Sequence, residues 1–406
     1  MRICYVLPYY DPAYTTPERY FDHARLMRHL PQAVAGQGHE VDVVLLFSTP
    51  HMFEEGGVRY HFVPSGVLAR TLARRAGGWL DRGQATMEPA LRAIGTIRRL
   101  RPDLIHFHGT NLYLNHALLL AALGGERPPI VLHYHGGSPS PNRLVRRVQR
   151  FNYRQVARFL FTTQTHARPF IDAGLIDGPQ RIVPFMETSS PFRRQARAEA
   201  RRQTGMTGDP VLVWAGRLDA NKDPMTALRG FEQIVPARPQ AHLYLHYLED
   251  ALLPELRQYV EARPSLRARV HFQGRVAFDE MEAIYNSADF LLQASRREFS
   301  GVAVLDAMAC GVIPVVTDIP SFQAMTDAGR YGVLFPPGDA EALARGVLAI
   351  PPAAIPDRSQ QVRGWFEQTL SFPALARQLD AVYREVIDES SVNSHGSSVK
   401  DLTDDP

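Results

Sequence analysis

Residues 295–317, SRREFSGVAVLDAMACGVIPVVT, contain a polar loop, an apolar helix-forming segment and a strand-forming segment in direct succession. An apolar run at 290–292 precedes the loop. Gly311 ends the predicted helix, and residues 313–317 have the composition of a strand covered on both faces. This strand–loop–helix–strand order is typical of a parallel α/β sheet.

Two carboxylates flank the start of this predicted helix. Glu298 lies in the loop, and Asp306 follows eight residues later inside the helix. Helix N-termini bind phosphate because free N–H groups and the macrodipole point there. A ligand with a phosphate in the middle and hydroxyls at both ends fits, and a sugar nucleotide is such a ligand. The alternative is a loop carboxylate and a surface acid, but an acid among so many apolar residues needs a partner.

Strand and helix patterns alternate on both sides of this stretch. In the first half the strand-like runs are residues 3–7, 41–46, 104–107, 130–134 and 159–163, and in the second half they are 211–215, 243–248, 270–272, 313–317 and 333–335. Short apolar runs rich in β-branched residues are typical of parallel strands. The sequence therefore predicts an α/β protein with two doubly wound, Rossmann-like domains facing each other across a cleft.

The predicted domain limits follow from changes in composition. The first domain comprises residues 1–185, a hinge with an entry helix comprises 186–209, and the second domain comprises 210–363. The hinge is marked by two prolines and a Thr-Ser-Ser run between Pro184 and Arg193. Residues 364–389 are predicted to be helical, and 390–406 are too polar to bury themselves, so a disordered tail is expected.

Composition excludes several classes of protein. Of 406 residues, 45% are hydrophobic and 21% are charged, and the net charge of +3 does not indicate a nucleic-acid partner. Cys4 and Cys310 form no disulfide framework or zinc spacing, which fits a reducing cytosol. The N-terminus lacks a signal-peptide pattern, and the apolar runs are too short for a membrane span. We therefore expect a cytoplasmic protein.

A second motif, GRLDANK, directly follows the predicted strand at 211–215. Gly216 permits a close backbone approach, Arg217 can grip two phosphate oxygens, and Lys222 supplies a point charge. The alternative is a pair of solvated surface cations. The sequence has no G-x-G-x-x-G after its first strand, no P-loop and no D-x-D pair, so these cations are the candidates to meet phosphate charge.

Histidines alternate along two predicted strands at positions 106, 108, 133 and 135. Period two places each pair on one face of its strand. A metal site is one hypothesis, although neither cysteines nor an H-x-x-x-H spacing accompanies these histidines. The preferred interpretation places His135, which precedes Gly136 and Gly137, in the cleft and the others in the core or behind it.

Arginines recur through residues 143–158 among apolar side chains, at positions 143, 146, 147, 150, 154 and 158. Such a basic amphipathic helix can lie on an anionic membrane, here the inner face. The alternative is a solvated helix packed on its own domain.

Together these motifs resemble the retaining family-4 glycosyltransferases of the GT-B fold. The resemblance rests on Glu298…Asp306 as the E-x7-E element and on GRLDANK as G-R-L-x-x-x-K. GQGHEVDVV, DLIHFHG and VLHYHGG match N-terminal landmarks, and VHFQGRV, ADFLLQASRREF and YGVLFPPGDAEALARGV match C-terminal ones. It implies an acceptor-side first domain, a second domain that binds the nucleotide sugar, and last helices that cross back to the first.

The resemblance also implies residue roles. Arg217 and Lys222 neutralise the donor diphosphate, with Gly216 beside them, and Glu298 holds hydroxyls of the transferred sugar. His135 sits beside the anomeric carbon, and Asp306 takes the ribose hydroxyls. The backbone near the nucleobase and the phosphates comes from Arg275, Val276, Phe299, Ser300, Gly301 and Val302. The implied reaction moves a hexose-type sugar, with retention, to a saccharide, lipid or small-metabolite hydroxyl, without metal or another cofactor.

Two departures from the family pattern keep alternatives open. The second acid is Asp306 rather than Glu, shorter by roughly 1.5 Å. The glycine pair after the first strand is missing, and Thr15 and Thr16 lie in the acceptor-side loop that replaces it. One alternative is a degenerate protein that binds sugar nucleotides without transfer, and another is a GT-B nucleotide-sugar epimerase.

Overall fold

The computed structural model of the chain describes residues 1–11, 13–65, 90–125 and 127–400, and their side chains except at positions 23 and 393–400. The chain divides into two compact units. The first comprises residues 1–187 together with the chain from Leu375 onward, and the second comprises residues 188–374. The boundary between Glu187 and Thr188 falls inside the segment predicted as a hinge. The predicted cleft between the units stays a prediction.

The first unit contains an eight-stranded sheet with the order β3-β4-β2-β1-β5-β6-β7-β8. Its strands are β1 Arg2–Leu7, β2 Glu40–Phe47, β3 His51–Glu55, β4 Val58–Pro64, β5 Leu104–His108, β6 Ile130–His133, β7 Val156–Phe161 and β8 Ile182–Pro184. Neighbouring strands are parallel except for β3 and β4. The central strands are buried along almost their whole length, as their apolar composition predicts.

The helices of the first unit connect successive strands, and one further helix comes from the end of the chain. They are α1 Pro17–His23, α2 Leu26–Ala35, α3 Leu91–Leu100, α4 Tyr113–Leu123, α5 Arg143–Tyr153 and α6 Gln164–Asp172. The last helix, Phe372–Lys400, packs on this unit from Leu375 onward: Gln378 donates to the Pro184 carbonyl at 2.8 Å, and Asp380 bonds His39 at 2.8 Å.

The second unit contains a six-stranded, fully parallel sheet with the order β11-β10-β9-β12-β13-β14. Its strands are β9 Val211–Gly216, β10 His242–Tyr247, β11 Val270–Gly274, β12 Phe290–Gln293, β13 Ile313–Thr317 and β14 Val333–Phe335. Its helices are α7 Arg197–Thr204, α8 Pro224–Ile234, α9 Leu253–Glu261, α10 Pro264–Arg267, α11 Phe278–Ser287, α12 Val302–Ala309, α13 Pro320–Thr326, α14 Ala340–Leu348 and α15 Ile355–Trp365. The final helix of the chain is α16, Phe372–Lys400.

The α/β prediction with two parallel-sheet domains is confirmed. The expected disordered tail differs from the structure, because α16 continues through residues 390–400, while 401–406 lie outside the described residues. Ser390 and Ser391 donate back to the Val386 and Ile387 carbonyls at 2.8 and 3.0 Å, so the docked part of the helix extends by local bonds. Within the described ranges, none of the helices combines the length and apolar composition that crossing a bilayer requires.

Buried histidines make the stability of the first unit sensitive to acid. His116 on α4 stacks on Phe107 at 5.0 Å, and neither of its ring nitrogens has a hydrogen-bond partner among the described residues. Burial, with a smaller effect from Arg127, lowers the pKa of His116 to about 3. The unfolded chain takes up this proton below a pKa of about 6.5, so the protein loses stability between about pH 6.5 and pH 3.

Replacing His116 by phenylalanine should therefore reduce the loss of stability on acidification. At pH 5 each such histidine costs about 2 kcal/mol relative to neutral pH. Denaturant unfolding of wild type and His116→Phe at pH 7 and pH 5 measures the effect. An unchanged difference between the two pH values in the variant would show that His116 is protonated in the folded state.

Candidate active site

The order of strands in the second sheet reverses between β9 and β12, which lie side by side. The chain runs outward from β9 through β11 in one direction and from β12 through β14 in the other. In such sheets the loops leaving the carboxyl ends of these two central strands diverge and form a crevice, which is the usual ligand site. The GRLDANK loop follows β9 and the Glu298 loop follows β12, so both predicted motifs border this crevice.

Lys222 and Glu298 join the two loops directly. The Lys222 Nζ donates to Glu298 Oε1, and the two side chains are only 19% and 13% exposed. The Lys222 N–H in turn donates to Asp219 Oδ1 at 2.8 Å, which fixes the lysine backbone. A predicted phosphate cation and a predicted sugar-binding carboxylate are therefore in direct contact.

Arg217 stands at the open side of the same loop. Its side chain is half exposed, and its Nε lies 3.1 Å from Asp219 Oδ2. Because an exposed ion pair of this kind contributes little to stability, the guanidinium can exchange Asp219 for an anionic ligand at small cost. Gly216, the last residue of β9, directly precedes Arg217 in the chain.

Further contacts that no sequence motif indicates join the two loops. The Arg296 N–H donates to the Asn221 carbonyl at 2.8 Å, and the Asn221 amide donates to the Arg297 carbonyl at 3.1 Å. The Arg296 guanidinium also pairs with Asp223 at 3.0 Å. No sequence motif connects these residues, but their hydrogen bonds and ion pair hold the two loops at a fixed separation.

Gly301 starts helix α12 in a conformation that favours glycine. Its φ is 51° and ψ is 54°, and a Cβ there would lie 2.7 Å from the Phe322 ring. Gly301 has no side chain to cap the helix, so the first turn presents backbone N–H groups. Phe299 and Val302 on either side are 46% and 44% exposed, and Ser300 is half-buried. This helix start is open to a ligand.

Asp306 lies deeper than the other predicted site residues. It is 6% exposed, on the fifth position of α12. Burial and then the nearby Asp306 charge raise the pKa of Tyr285 and of Cys310. The structure thus places this acid toward the protein interior beside α11, and contact with a ribose stays a prediction.

Arg275 and Val276 follow β11 and precede α11. Arg275 is exposed, and Val276 lines a cavity of about 490 Å³ in the second unit together with Tyr244, Gln273 and Glu280. A cavity of this size accommodates a small organic ring system. The predicted nucleobase contact of Arg275 and Val276 is not tested by this geometry and stays a prediction.

The four histidines singled out in the sequence form one cluster: His106 and His108 lie on β5, His133 ends the neighbouring strand β6, and His135 follows two residues later. His106 stacks on His108 at 4.6 Å, and the His133 and His135 rings are 4.4 Å apart. Burial, then neighbouring histidines, lowers the pKa of His106 to about 3 and those of His108 and His133 well below the usual value. These three are therefore neutral at physiological pH.

The ring nitrogens of His106, His108 and His133 come within 4.8 Å of one another. Ligand nitrogens around a tetrahedral zinc ion lie roughly 3.3 Å apart, given Zn–N distances of about 2.0–2.1 Å. Both nitrogens of His106 are already bonded, to the Tyr383 hydroxyl at 2.5 Å and to His133 Nδ1 at 3.1 Å. Tyr383 comes from α16 and also bonds the Tyr5 hydroxyl at 2.9 Å. The geometry is that of a hydrogen-bonded network.

His135 is the most exposed member of this cluster, with 23% of its side chain accessible. Its Nε2 lies 2.7 Å from His108 Nδ1, and its Nδ1 lies 3.0 Å from Glu187 Oε1. The sequence holds no signal for Glu187, since its partner is 52 residues away and no spacing connects them.

Thr15 and Thr16, predicted to face the acceptor, are exposed. The Thr16 hydroxyl accepts from the Arg19 N–H at 3.3 Å and caps helix α1. Thr16 therefore has a structural role, and its predicted contact with an acceptor stays a prediction.

The basic segment at 143–158 is only partly a helix. Asn142 caps α5, which ends at Tyr153, so the prediction that the basic helix extends to Arg158 is wrong. Arg158 lies on β7 and pairs with Glu385 and Glu389 at 2.7 and 2.6 Å. A strand is favoured there because Val156, Phe159 and Phe161 are residue types with high strand propensity.

An exposed apolar pair remains on α5 itself. Leu144 and Phe151, seven residues and two turns apart, are 68% and 62% exposed. The exposed arginines around them are Arg143, Arg147, Arg150 and Arg154. This surface, Leu144 and Phe151 with these four arginines, is called the α5 surface below.

Two family descriptions match the chain. Residues 209–350 match "Glycosyl transferases group 1", and residues 23–185 match "Glycosyl transferase 4-like domain". The first range contains the β9 and β12 loops, and the second contains the histidine cluster.

Among curated relatives, the GDP-mannose:cellobiosyl-diphosphopolyprenol alpha-mannosyltransferase of Xanthomonas oryzae pv. oryzae is 25% identical over 256 residues. The alignment takes in 61% of this chain and 64% of that enzyme, so the chain spans just under two thirds of its length.

Solved structures with a similar fold include the sucrose-phosphate synthase from Thermosynechococcus elongatus (TM-score 0.66, 20% identity, 96% of this chain and 99% of that one). Anabaena Alr3699/HepE in complex with UDP and glucose has a TM-score of 0.65 and 17% identity, over 95% of this chain and 100% of that one. At these identities the likeness concerns the fold.

Proposed function

Because the chain belongs to the group 1, family-4 glycosyltransferases of the GT-B fold, we propose that it transfers a hexose-type sugar from a nucleotide-diphosphate donor. The proposed acceptor is a hydroxyl of a saccharide, lipid or small metabolite, and the anomeric configuration is retained. The proposed compartment is the cytoplasm.

One observation carries this proposal: the Lys222–Glu298 contact at the crevice between the β9 and β12 loops. A nucleoside diphosphate sugar needs positive charge for its diphosphate and an acceptor of hydrogen bonds for its sugar hydroxyls. Lys222 and Arg217 supply the first, and Glu298 supplies the second. The open start of α12 adds backbone N–H groups for a phosphate.

The proposed chemistry is mainly electrostatic. As the sugar–phosphate bond breaks, negative charge grows on the leaving diphosphate while the sugar becomes oxocarbenium-like. Lys222, Arg217 and the helix start stabilise that charge, and Glu298 keeps the sugar oriented. The leaving phosphate oxygen takes the acceptor's proton from the same face, so retention requires no protein nucleophile. His135 is the proposed catalytic residue of the first unit.

The decisive experiment combines a binding screen with a product assay. A thermal-shift screen of nucleoside diphosphates and their sugars identifies the donor, since a ligand of the folded state raises the melting temperature. The chosen donor is then incubated with candidate acceptors, and NMR of the glycoside reads its anomeric configuration. An inverted product would contradict retention.

The same assay separates the alternatives. A binding protein without transferase activity shows a thermal shift but releases no nucleoside diphosphate with any acceptor. An epimerase converts the donor into an isomeric sugar and forms no glycoside. Transfer to an acceptor excludes both.

The second proposal is that turnover requires no divalent metal. Arg217, Lys222 and the α12 start provide the charge that a metal would otherwise bring to the diphosphate. We expect activity within about twofold of the untreated enzyme after EDTA treatment. A loss that added magnesium or manganese restores would contradict metal independence.

The third proposal is peripheral contact of the α5 surface with an anionic bilayer. Its arginines supply charge of one sign around the exposed Leu144 and Phe151 side chains, and no acidic residue occurs between Arg143 and Arg154. Apolar side chains can enter the headgroup boundary while the arginines bind lipid phosphates.

Leu144→Ser combined with Phe151→Ser should weaken binding to vesicles that contain phosphatidylglycerol, and 0.5 M salt should weaken it further. The matched control is Leu91→Ser, an exposed leucine on α3 of the same unit. Sedimentation with vesicles measures the bound fraction. Equal binding to neutral and anionic vesicles, or no effect of the double substitution, would contradict the proposal.

A further inference from the structure

We infer that Glu187 is the positioning residue of His135, a role that rests on the proposed function because His135 acts in that reaction. The Glu187 Oε1 lies 3.0 Å from His135 Nδ1, and the two side chains are 16% and 23% exposed. The other Glu187 oxygen is buried and has no hydrogen-bond partner among the described residues. Among the described residues, the hydrogen bond of this carboxylate therefore goes to the His135 imidazole.

The contact fixes which nitrogen of His135 carries its proton. An ionised carboxylate only accepts hydrogen bonds, so His135 Nδ1 must hold a hydrogen and donate it. In the neutral ring the lone pair is then on Nε2, which lies 2.7 Å from His108 Nδ1. His108 is buried and neutral, and its Nδ1–H donates to that lone pair. Glu187, His135 and His108 thus form one directed chain of hydrogen bonds.

Glu187 is itself held by the first unit. The Phe185 N–H donates to the Phe161 carbonyl at 2.8 Å, and the Phe185 ring packs edge-on against His133 at 5.2 Å. Gln378 of α16 bonds the Pro184 carbonyl at 2.8 Å. Pro184 and Phe185, which closely precede Glu187 in the chain, are therefore anchored by separate elements. The Glu187 carboxylate reaches His135 from this anchored segment.

With Glu187 in place, the hydrogen bonds at both ring nitrogens favour one orientation and one tautomer of His135 before substrate binds. Without the carboxylate, either nitrogen can carry the proton and the ring can turn. A misplacement of about 1 Å in a catalytic group costs on the order of 10²-fold in rate, so preorganisation of this ring matters for turnover. The binding of the donor to the second unit does not depend on it.

The test compares Glu187→Ala, Glu187→Gln and the exposed control Glu54→Ala on β3 of the same unit. We expect Glu187→Ala to lower kcat about 10²-fold with the donor KM changed less than about threefold. Glu187→Gln keeps an oxygen that accepts from Nδ1–H and should restore most of the loss. Glu54→Ala should have the same kcat and donor KM as the wild-type protein.

Two readouts distinguish positioning from a structural role. In protein with ¹⁵N-labelled histidine, assigned among fifteen histidines by comparison with His135→Gln, the His135 Nδ1 should change from fully protonated to a tautomer mixture in Glu187→Ala. In a His135→Ala background, removing Glu187 should have no further effect on kcat.

The outcomes also separate this inference from the proposed function. The tautomer measurement needs no substrate, so it stands even if the wild-type protein transfers no sugar. Transfer by wild type with equal kcat and an unchanged His135 tautomer in Glu187→Ala would overturn the inference and leave the proposed function intact. Additive effects of the His135 and Glu187 substitutions would overturn it as well.

Discussion

Replacing Lys222 by methionine should lower kcat/KM about 10²- to 10³-fold, the loss expected when one preorganised group that stabilises leaving-group charge is removed. Methionine keeps the unbranched shape and most of the length of the side chain and removes the charged amino group. The substitution also leaves Glu298, 13% exposed, without its cation, so the free energy of unfolding should fall by roughly 1–3 kcal/mol. Steady-state kinetics and denaturant unfolding measure the two effects separately.

Adding Glu298→Gln to Lys222→Met separates catalysis from stability. The double variant has no unpaired charge, so it should recover most of the lost stability and none of the activity. Arg229→Met, which removes an exposed cation from α8 of the same unit, should retain wild-type kinetics. Activity of Lys222→Met within about threefold of wild type would contradict the diphosphate role.

The scarcity of lysine allows a direct test of ligand contact. The sequence contains two lysines, Lys222 and Lys400. Limited acetylation followed by peptide mass spectrometry therefore reports on Lys222, with Lys400 as the internal reference. A nucleoside diphosphate should protect Lys222 and leave Lys400 unaffected. Equal labelling of Lys222 with and without a ligand that raises the melting temperature would place the diphosphate elsewhere.

Replacing Gly301 by alanine should lower the free energy of unfolding by roughly 2–4 kcal/mol and weaken donor binding. A left-handed backbone costs an alanine about 1–2 kcal/mol, and the new Cβ would lie 2.7 Å from the Phe322 ring. Phe322 is buried and has little room to move, so the start of α12 must shift. Since that start faces the proposed phosphate, the melting-temperature rise produced by the donor should shrink as well.

Gly338→Ala provides the matched control for this substitution. Gly338 has a φ of 83°, but a Cβ there has no heavy atom within 4 Å among the described residues. Its cost should be limited to that of the left-handed backbone, about 1–2 kcal/mol. Adding Phe322→Leu to Gly301→Ala should recover part of the lost donor affinity by making room. If Gly301→Ala is no more destabilising than Gly338→Ala, the close approach of the new Cβ to Phe322 does not contribute to the free energy of unfolding.

The central strands were predictable because burial on both faces imposes a continuous apolar run. β9 and β13 are examples, and each was expected within one residue of its observed bounds. β3, His51–Glu55, was not predicted, because an antiparallel edge strand with three exposed residues of five has no such constraint. The extent of α16 was missed for a related reason: helix propagation beyond a docked segment depends on local bonds rather than on apolar residues.

Within the candidate site, local motifs were predictable and distant partners were not. The β9 and β12 loops carry Lys222 and Glu298 in short patterns, and strand order then brings the loops together. Glu187 meets His135 across 52 residues, and Tyr383 meets His106 across 277. No spacing encodes such pairs, because each depends on the packing of the whole unit. Arg158 likewise resembled a helix-surface arginine until Glu385 and Glu389 could be placed beside it.

The second unit is continuous in sequence, whereas the first is interrupted by it and receives α16 last. Tyr5 and Tyr383, which share a hydrogen bond, are 378 residues apart. During synthesis the ribosome delivers residues 188–374 before the partner of Tyr5 exists, so the later-made unit can finish folding first. A nascent chain paused near residue 374 would already contain all eight strands of the first sheet, but His39 and Arg158 would lack their partners on α16.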